Sequence, residues 1–167
     1  LRRLGIGLPP GRAIAFIALN TALIALSEEW MFRGILFRAL RARLRLWPAV
    51  MLTSVGFGAV HVLNAFALGN LGFALVQSVA AMMTGTLLVA LVLRTGSIWP
   101  AVAYHMLWNF GILLLAYETT QYLHPQTTQP LSAYLVPILI VLPNFLFALI
   151  LLRSLPAPGG GEGREYP

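Results

Sequence analysis

Residues 26–38 read LSEEWMFRGILFR, which sets Glu28, Glu29 and Arg33 in the continuation of a purely apolar run. Glu29 and Arg33 are four apart with the acid first, the favourable order for an ion pair along one helix face. Glu28 points about 100° away from Glu29, so one carboxylate can be held by the arginine, in support of its neighbour, while Glu28 faces a cavity. A carboxylate so placed can take a proton from water. Two further stretches carry the groups such chemistry needs. FGAVH ends in His61, whose imidazole can orient a water that it shares with Glu28. HMLWN places His105 and Asn109 four apart on one face, where both can donate hydrogen bonds to a single oxygen, as an oxyanion site requires. The chemistry this set fits is hydrolysis of an amide.

The elements that must hold these residues are membrane helices. The chain has 167 residues, of which 59% are hydrophobic and 10% charged, and a mean hydropathy of +0.82, outside the balance of a soluble domain. All 11 basic residues are arginine against 5 acids, for a net charge of +6. The arginines lie between and beside apolar runs with no basic patch interleaved with aromatics, a pattern that fits anionic headgroups of the lipid bilayer and excludes nucleic acid as a partner. Cysteine is absent, which removes disulfides and thiolate nucleophiles. The sequence sets no oligomeric state.

A crossing needs roughly 20 mostly apolar residues, and four or five segments can supply them: from near Ala13 through Glu28, from about Pro48 to Leu63, Phe73 to Leu93, Ser97 to Tyr117, and Leu131 to Leu152, the last with Pro137 and Pro143 and an expected kink. Between the first two, Arg38, Arg41 and Arg45 share one helical face and Leu36, Leu40, Leu44 and Trp47 the other, which predicts an interfacial amphipathic helix. The fold expected is all-α: a polytopic bundle of about five membrane helices, with residues 1–155 as one core and 156–167 as a disordered tail. If the 34–47 loop is cytoplasmic, alternation puts Arg94 and Arg153 on the same side and leaves the loops at 64–72 and 118–130 free of Lys and Arg. Arg2, Arg3 and Arg12 then fall on the wrong side, which a further helix upstream of Leu1 would explain.

Counting inward from the arginine-rich side at about 1.5 Å per residue, Glu28 lies roughly 15 Å from Arg38, His61 roughly 20 Å from Pro48, and His105 and Asn109 roughly 12 and 18 Å from Ser97. The polar groups are therefore expected to converge in one layer, and ionisable residues within a membrane point to function by default. Gln77 and Asn64 are expected as interhelical hydrogen-bonding residues and Trp30, Trp47, Trp99 and Trp108 as packing or interface residues.

EEWMFR, FGAVH and HMLWN fit the patterns EExxxR, FxxxH and HxxxN in that order, and over about Leu26 to Asn109 the chain resembles the CPBP family of intramembrane proteases, the CAAX prenyl protease and bacteriocin-processing (Abi) enzymes. The resemblance implies that Glu28 and His61 activate the attacking water, that His105 and Asn109 stabilise the oxyanion, that Glu29 and Arg33 complete the first motif, and that Phe57 packs beside the site. It implies a membrane-associated or lipidated peptide as substrate and, from the arginine-rich, lysine-free composition, a bacterial plasma membrane. Family members have been described as metalloproteases, but the chain has no HExxH; a glutamate mechanism without a cofactor ranks first and Zn²⁺ second. A scaffold or bacteriocin-immunity protein that binds without cutting, and a proton or ion pathway built on the same buried Glu and His, are the competing classes.

Overall fold

The structure, a computed structural model, describes residues 9–122 and 130–153. The expected tail, His124, Arg2 and Arg3 lie outside them. Among the described residues every regular element is helical. Five helices are long and apolar enough to cross a membrane: α1 (Gly11–Arg41), α2 (Leu46–Ala67), α3 (Leu71–Thr95), α4 (Trp99–Tyr122) and α5 (Leu131–Arg153). Their ends follow local chemistry. Gly69 and Gly96 take φ of 64° and 69° where α2 and α3 stop, a conformation that glycine adopts without steric cost. Asn70 caps α3 by accepting from the Phe73 N–H at 2.9 Å, and Ser97 accepts from the Trp99 N–H at the start of α4. α5 stays helical through Pro137 and Pro143.

α3 is the central helix. An unbroken run from Met83 to Ala90 is buried, because α2, α4 and α5 all pack against it. α1 lies against α4 and reaches α2 and α3 only near its C-terminal end. Arg94 at the end of α3 donates through Nε to the Leu151 carbonyl of α5 at 2.9 Å, fastening those two ends together.

α1 departs from a plain α-helix. It is α-helical from Gly11 to Glu29, widens into a π-helix over Trp30–Leu36, and returns to α-helix over Phe37–Arg41. Its inward stripe explains the purpose. Thr21, Ala25, Glu29 and Arg33 are completely buried and Phe37 is 4% exposed. Four steps of four residues would carry a straight α-helix about 160° around its axis, turning the end of the stripe away from the bundle. Wider turns with i→i+5 bonding undo that drift. The expected interfacial helix is one consequence. It does not form as a separate element: Phe37–Arg41 continues α1, and residues 42–45 make the turn into α2, with Arg41 Nη1 donating to the Leu44 carbonyl at 2.7 Å. The apolar side of this stretch faces protein rather than lipid, because Phe37 packs into a core with Ala49, Val50, Leu87, Ala148 and Leu152, and Leu40 and Leu44 cover it. The amphipathic pattern is real, but the bundle itself is its partner.

α2 and α3 approach closely at Gly58, whose carbonyl accepts from Ser78 Oγ at 2.7 Å; small residues permit such contacts between membrane helices. A Cβ on Gly58 would stand 2.6 Å from the Ser78 carbonyl oxygen and 2.9 Å from Met82 Cβ, whereas one on Gly56 meets nothing nearer than 3.8 Å. Gly58→Ala is therefore expected to cost roughly 1–3 kcal/mol and Gly56→Ala far less. Thermal unfolding in detergent reads the difference, and equal Tm values for the two variants would contradict the packing described.

Candidate functional site

The site is built around a buried cation. Arg33 is fully buried, and its guanidinium is held from three helices. Nη1 donates to Glu29 Oε1 at 2.8 Å within α1, Nη2 donates to the Gly85 carbonyl of α3 at 3.0 Å, and the Phe57 ring of α2 lies with its centroid 4.3 Å from Cζ. Gly85 eases this approach, since a Cβ there would stand 3.1 Å from the Phe57 ring and 3.3 Å from Arg33 Nη2, so that one of them would have to give by a few tenths of an ångström. The ion pair expected between Glu29 and Arg33 is present, and the backbone around it is the π segment.

Glu29 has a second partner. His105 Nδ1, on α4, lies 2.8 Å from the same Oε1. A carboxylate oxygen accepts, so Nδ1 carries the proton and Nε2 is turned the other way. There it faces Glu28, with Oε2 at 3.7 Å. His105 thus stands between the two carboxylates, with Nδ1 on Glu29 and Nε2 toward Glu28. Glu28 Oε2 is buried, and among the described residues it accepts no hydrogen bond.

His61 sits where α2 tightens from α-helix to a 3₁₀ turn, His61–Leu63. Its backbone N–H reaches back to the Gly58 carbonyl, and the Phe57 carbonyl accepts from ring Nδ1 at 2.7 Å. Nδ1 is again the protonated nitrogen, and Nε2 is left as an acceptor. His61 makes no ion pair with Glu28; the imidazole that approaches Glu28 belongs to His105. Phe57 packs beside the site as expected, edge-on to the rings of Phe32, His61 and His105 at centroid distances of 5.1, 4.9 and 5.7 Å.

His61, His105 and Asn109 line one half-open cavity of about 270 Å³ bordered by α2, α3, α4 and α5. Asn109 thus shares its face with His105, one turn along α4. Glu28 and Glu29 are outside the cavity lining, and Glu28 reaches this group of residues through the His105 contact. The remaining walls are largely apolar, with Phe73 and Ala81 from α3 and Val136, Ile140 and Val141 from α5. Three participants were not identified from the sequence. Gly85 and the α5 wall carry no polar signal, and Trp108, which lines the cavity and stacks on Tyr104 at 6.1 Å, resembles any other membrane tryptophan.

Glu29 Oε1 already accepts from Arg33 and His105, and among the described residues no three His, Asp or Glu side chains converge as ligands.

A family model, Type II CAAX prenyl endopeptidase Rce1-like, matches residues 10–111. The match runs from the start of α1 to just beyond Asn109 and takes in all three motifs. No curated protein and no solved structure matches the chain.

Because Arg33 and Glu29 are both fully buried, removing the cation strands a carboxylate in the bundle. Arg33→Met is expected to destabilise by about 3–5 kcal/mol, and Arg33→Met/Glu29→Gln to recover part of that loss. Detergent-solubilised yield and Tm measure both, and a single variant as stable as the wild type would contradict the arrangement.

Proposed function

The chain belongs to the Rce1-like family of type II CAAX prenyl endopeptidases, which makes it an integral, multi-pass membrane protease of the CAAX type, and from that premise we propose the residues and steps by which it cuts. The observation that carries the reading is the placement of Glu28 Oε2 3.7 Å from His105 Nε2, at the edge of a cavity that His61 and Asn109 also line.

Glu28 takes a proton from a water whose other hydrogen is accepted by His61 Nε2, the nitrogen left free by the bond to the Phe57 carbonyl. The water oxygen adds to the peptide carbonyl carbon. The developing oxyanion is met by the Asn109 amide and by His105, which in its protonated form donates through Nε2 while Glu29 holds Nδ1. Collapse of the tetrahedral intermediate breaks the C–N bond, and the leaving amine receives the proton held by Glu28. Glu29 and Arg33 are positioning residues: they fix the His105 ring and do not touch the peptide. Phe57 supports both imidazoles. No metal takes part. The substrate is a membrane-associated peptide, CAAX-like or other, which enters the bilayer-level cavity between largely apolar walls. The lysine-free, arginine-rich composition fits a bacterial plasma membrane with the 42–45 turn facing the cytoplasm.

The 3.7 Å contact also favours a second reading, in which His105 rather than His61 flanks the attacking water. The histidine variants separate the two. Under the first reading His61→Ala and His105→Ala both lose most activity; under the second His61→Ala retains it.

In proteoliposomes with a reporter peptide, Glu28→Gln is expected to lower kcat by about 10²–10⁴-fold and Asn109→Ala by about 10²–10³-fold, with activity unchanged in excess chelator. Cleavage by Glu28→Gln at the wild-type rate would remove the proposal.

A further inference from the structure

One polar residue of the cavity has no part in the steps above. Gln77 lines the cavity from α3, and its Oε1 accepts from Asn64 Nδ2 at 3.0 Å. Asn64 begins the short helix that follows the 3₁₀ turn of His61, so the pair ties the His61 segment to α3, as expected of an interhelical hydrogen bond. That bond also settles what Gln77 can offer. With its oxygen engaged, the group left for the cavity is the amide N–H₂, a donor. Thr84, on the same wall, donates its hydroxyl proton to the Ala80 carbonyl at 3.0 Å. Gln77 is thus a lining side chain with a donor to give, as are Asn109 and, through its indole N–H, Trp108.

Its place along α3 sets what it can reach. Gln77 bonds Asn64, three residues after His61, so it stands beside the His61 end of the site. Gln77 also stands in a part of the cavity walled by apolar side chains such as Phe73, where an unpaired peptide oxygen is costly. We propose that Gln77 is a substrate-positioning residue, donating a hydrogen bond from its amide to an acceptor oxygen of the bound peptide. This rests on the protease reading above. The acceptor is a main-chain carbonyl or the terminal carboxylate of a short peptide, and the two share this chemistry.

The test separates donation to substrate from the structural tie to Asn64. Gln77→Met removes both the donor and the tie. Gln77→Glu keeps an oxygen for Asn64 and, when ionised, removes the donor. Asn64→Leu removes the tie and leaves the donor. Affinity for a fluorescent peptide is measured in the Glu28→Gln background, where no turnover is required, and KM and kcat in the otherwise native protein. Gln77→Met and Gln77→Glu are expected to weaken affinity and raise KM about tenfold, with kcat changed less than twofold. Asn64→Leu is expected to change affinity less than twofold, and Gln77→Glu to recover at acid pH as its carboxyl regains a proton to donate. Amidating the terminus identifies the oxygen: sensitivity confined to the free acid assigns the carboxylate, and sensitivity in both forms assigns a carbonyl. Undiminished affinity in Gln77→Met or an equal loss in Asn64→Leu would each overturn the proposal. Gln77-dependent binding by a wild-type protein that cuts no peptide would instead uphold this contact and sink the protease reading.

Discussion

A guanidinium enclosed within a membrane bundle is the constraint on which the rest of the molecule depends. Arg33 has no exposed surface, and an ion so far from water is tolerated only where its charge is met; both terminal nitrogens are bonded, and Nε has no hydrogen-bond partner among the described residues. Arginine suits the position because its planar fork can address two acceptors and a ring face together, here the Glu29 carboxylate, the Gly85 carbonyl and Phe57. Each of those partners lies on a different helix, so satisfying one side chain fixes the relation of α1, α2 and α3 at a single depth. The fourth membrane helix joins through the other side of the same carboxylate, where His105 of α4 meets Glu29. The ion pair is therefore better understood as the junction of four helices than as a bond within one.

The helices bend their own rules to meet at this junction. α1 widens into a π-helix in the residue after Glu29, and α2 tightens into a 3₁₀ turn at His61. The first irregularity keeps a buried stripe in register with the bundle over five positions from Thr21 to Phe37. The second brings the Phe57 carbonyl within reach of the His61 ring, which determines which nitrogen of that histidine faces the cavity. Irregular turns of this kind concentrate where function fixes a side chain more strictly than helix geometry does. In both cases the polar motif residue and the break in the ladder are adjacent in the chain.

Much of this was legible in the sequence, for reasons that differ from residue to residue. The spans could be read because hydrocarbon leaves little choice over where twenty apolar residues in a row can go. The Glu29–Arg33 pair and the shared face of His105 and Asn109 followed from helical spacing alone. The convergence of His61 and His105 followed from counting depth along helices of known rise. Other features could not be read so directly. Spacing says that Glu29 can bond Arg33, but a carboxylate has more acceptor capacity than one arginine uses, and its second partner comes from another helix. The approach of His105 to Glu28 could not be read from spacing for the same reason, since it too crosses between helices. The amphipathic stretch around Arg41 was taken for a lipid-facing helix because its leucines look the same whether membrane or protein covers them. Gly85 and Gly58 gave no signal, since a glycine in an apolar run shows nothing of the backbone or side chain that will lie against it. The π segment has no sequence mark of its own.

The claim at the centre is that Glu29 holds the Nδ1 proton of His105 and so turns Nε2 toward Glu28. Nitrogen-15 solid-state NMR of histidine-labelled protein in lipid observes this directly, and with 3 histidines in the chain the signals are assigned by single His→Gln variants. His105 is expected to show a protonated, strongly hydrogen-bonded Nδ1 whose resonance moves when Glu29 is replaced by Gln. A His105 protonated at Nε2 alone, or an Nδ1 signal indifferent to Glu29, would contradict it.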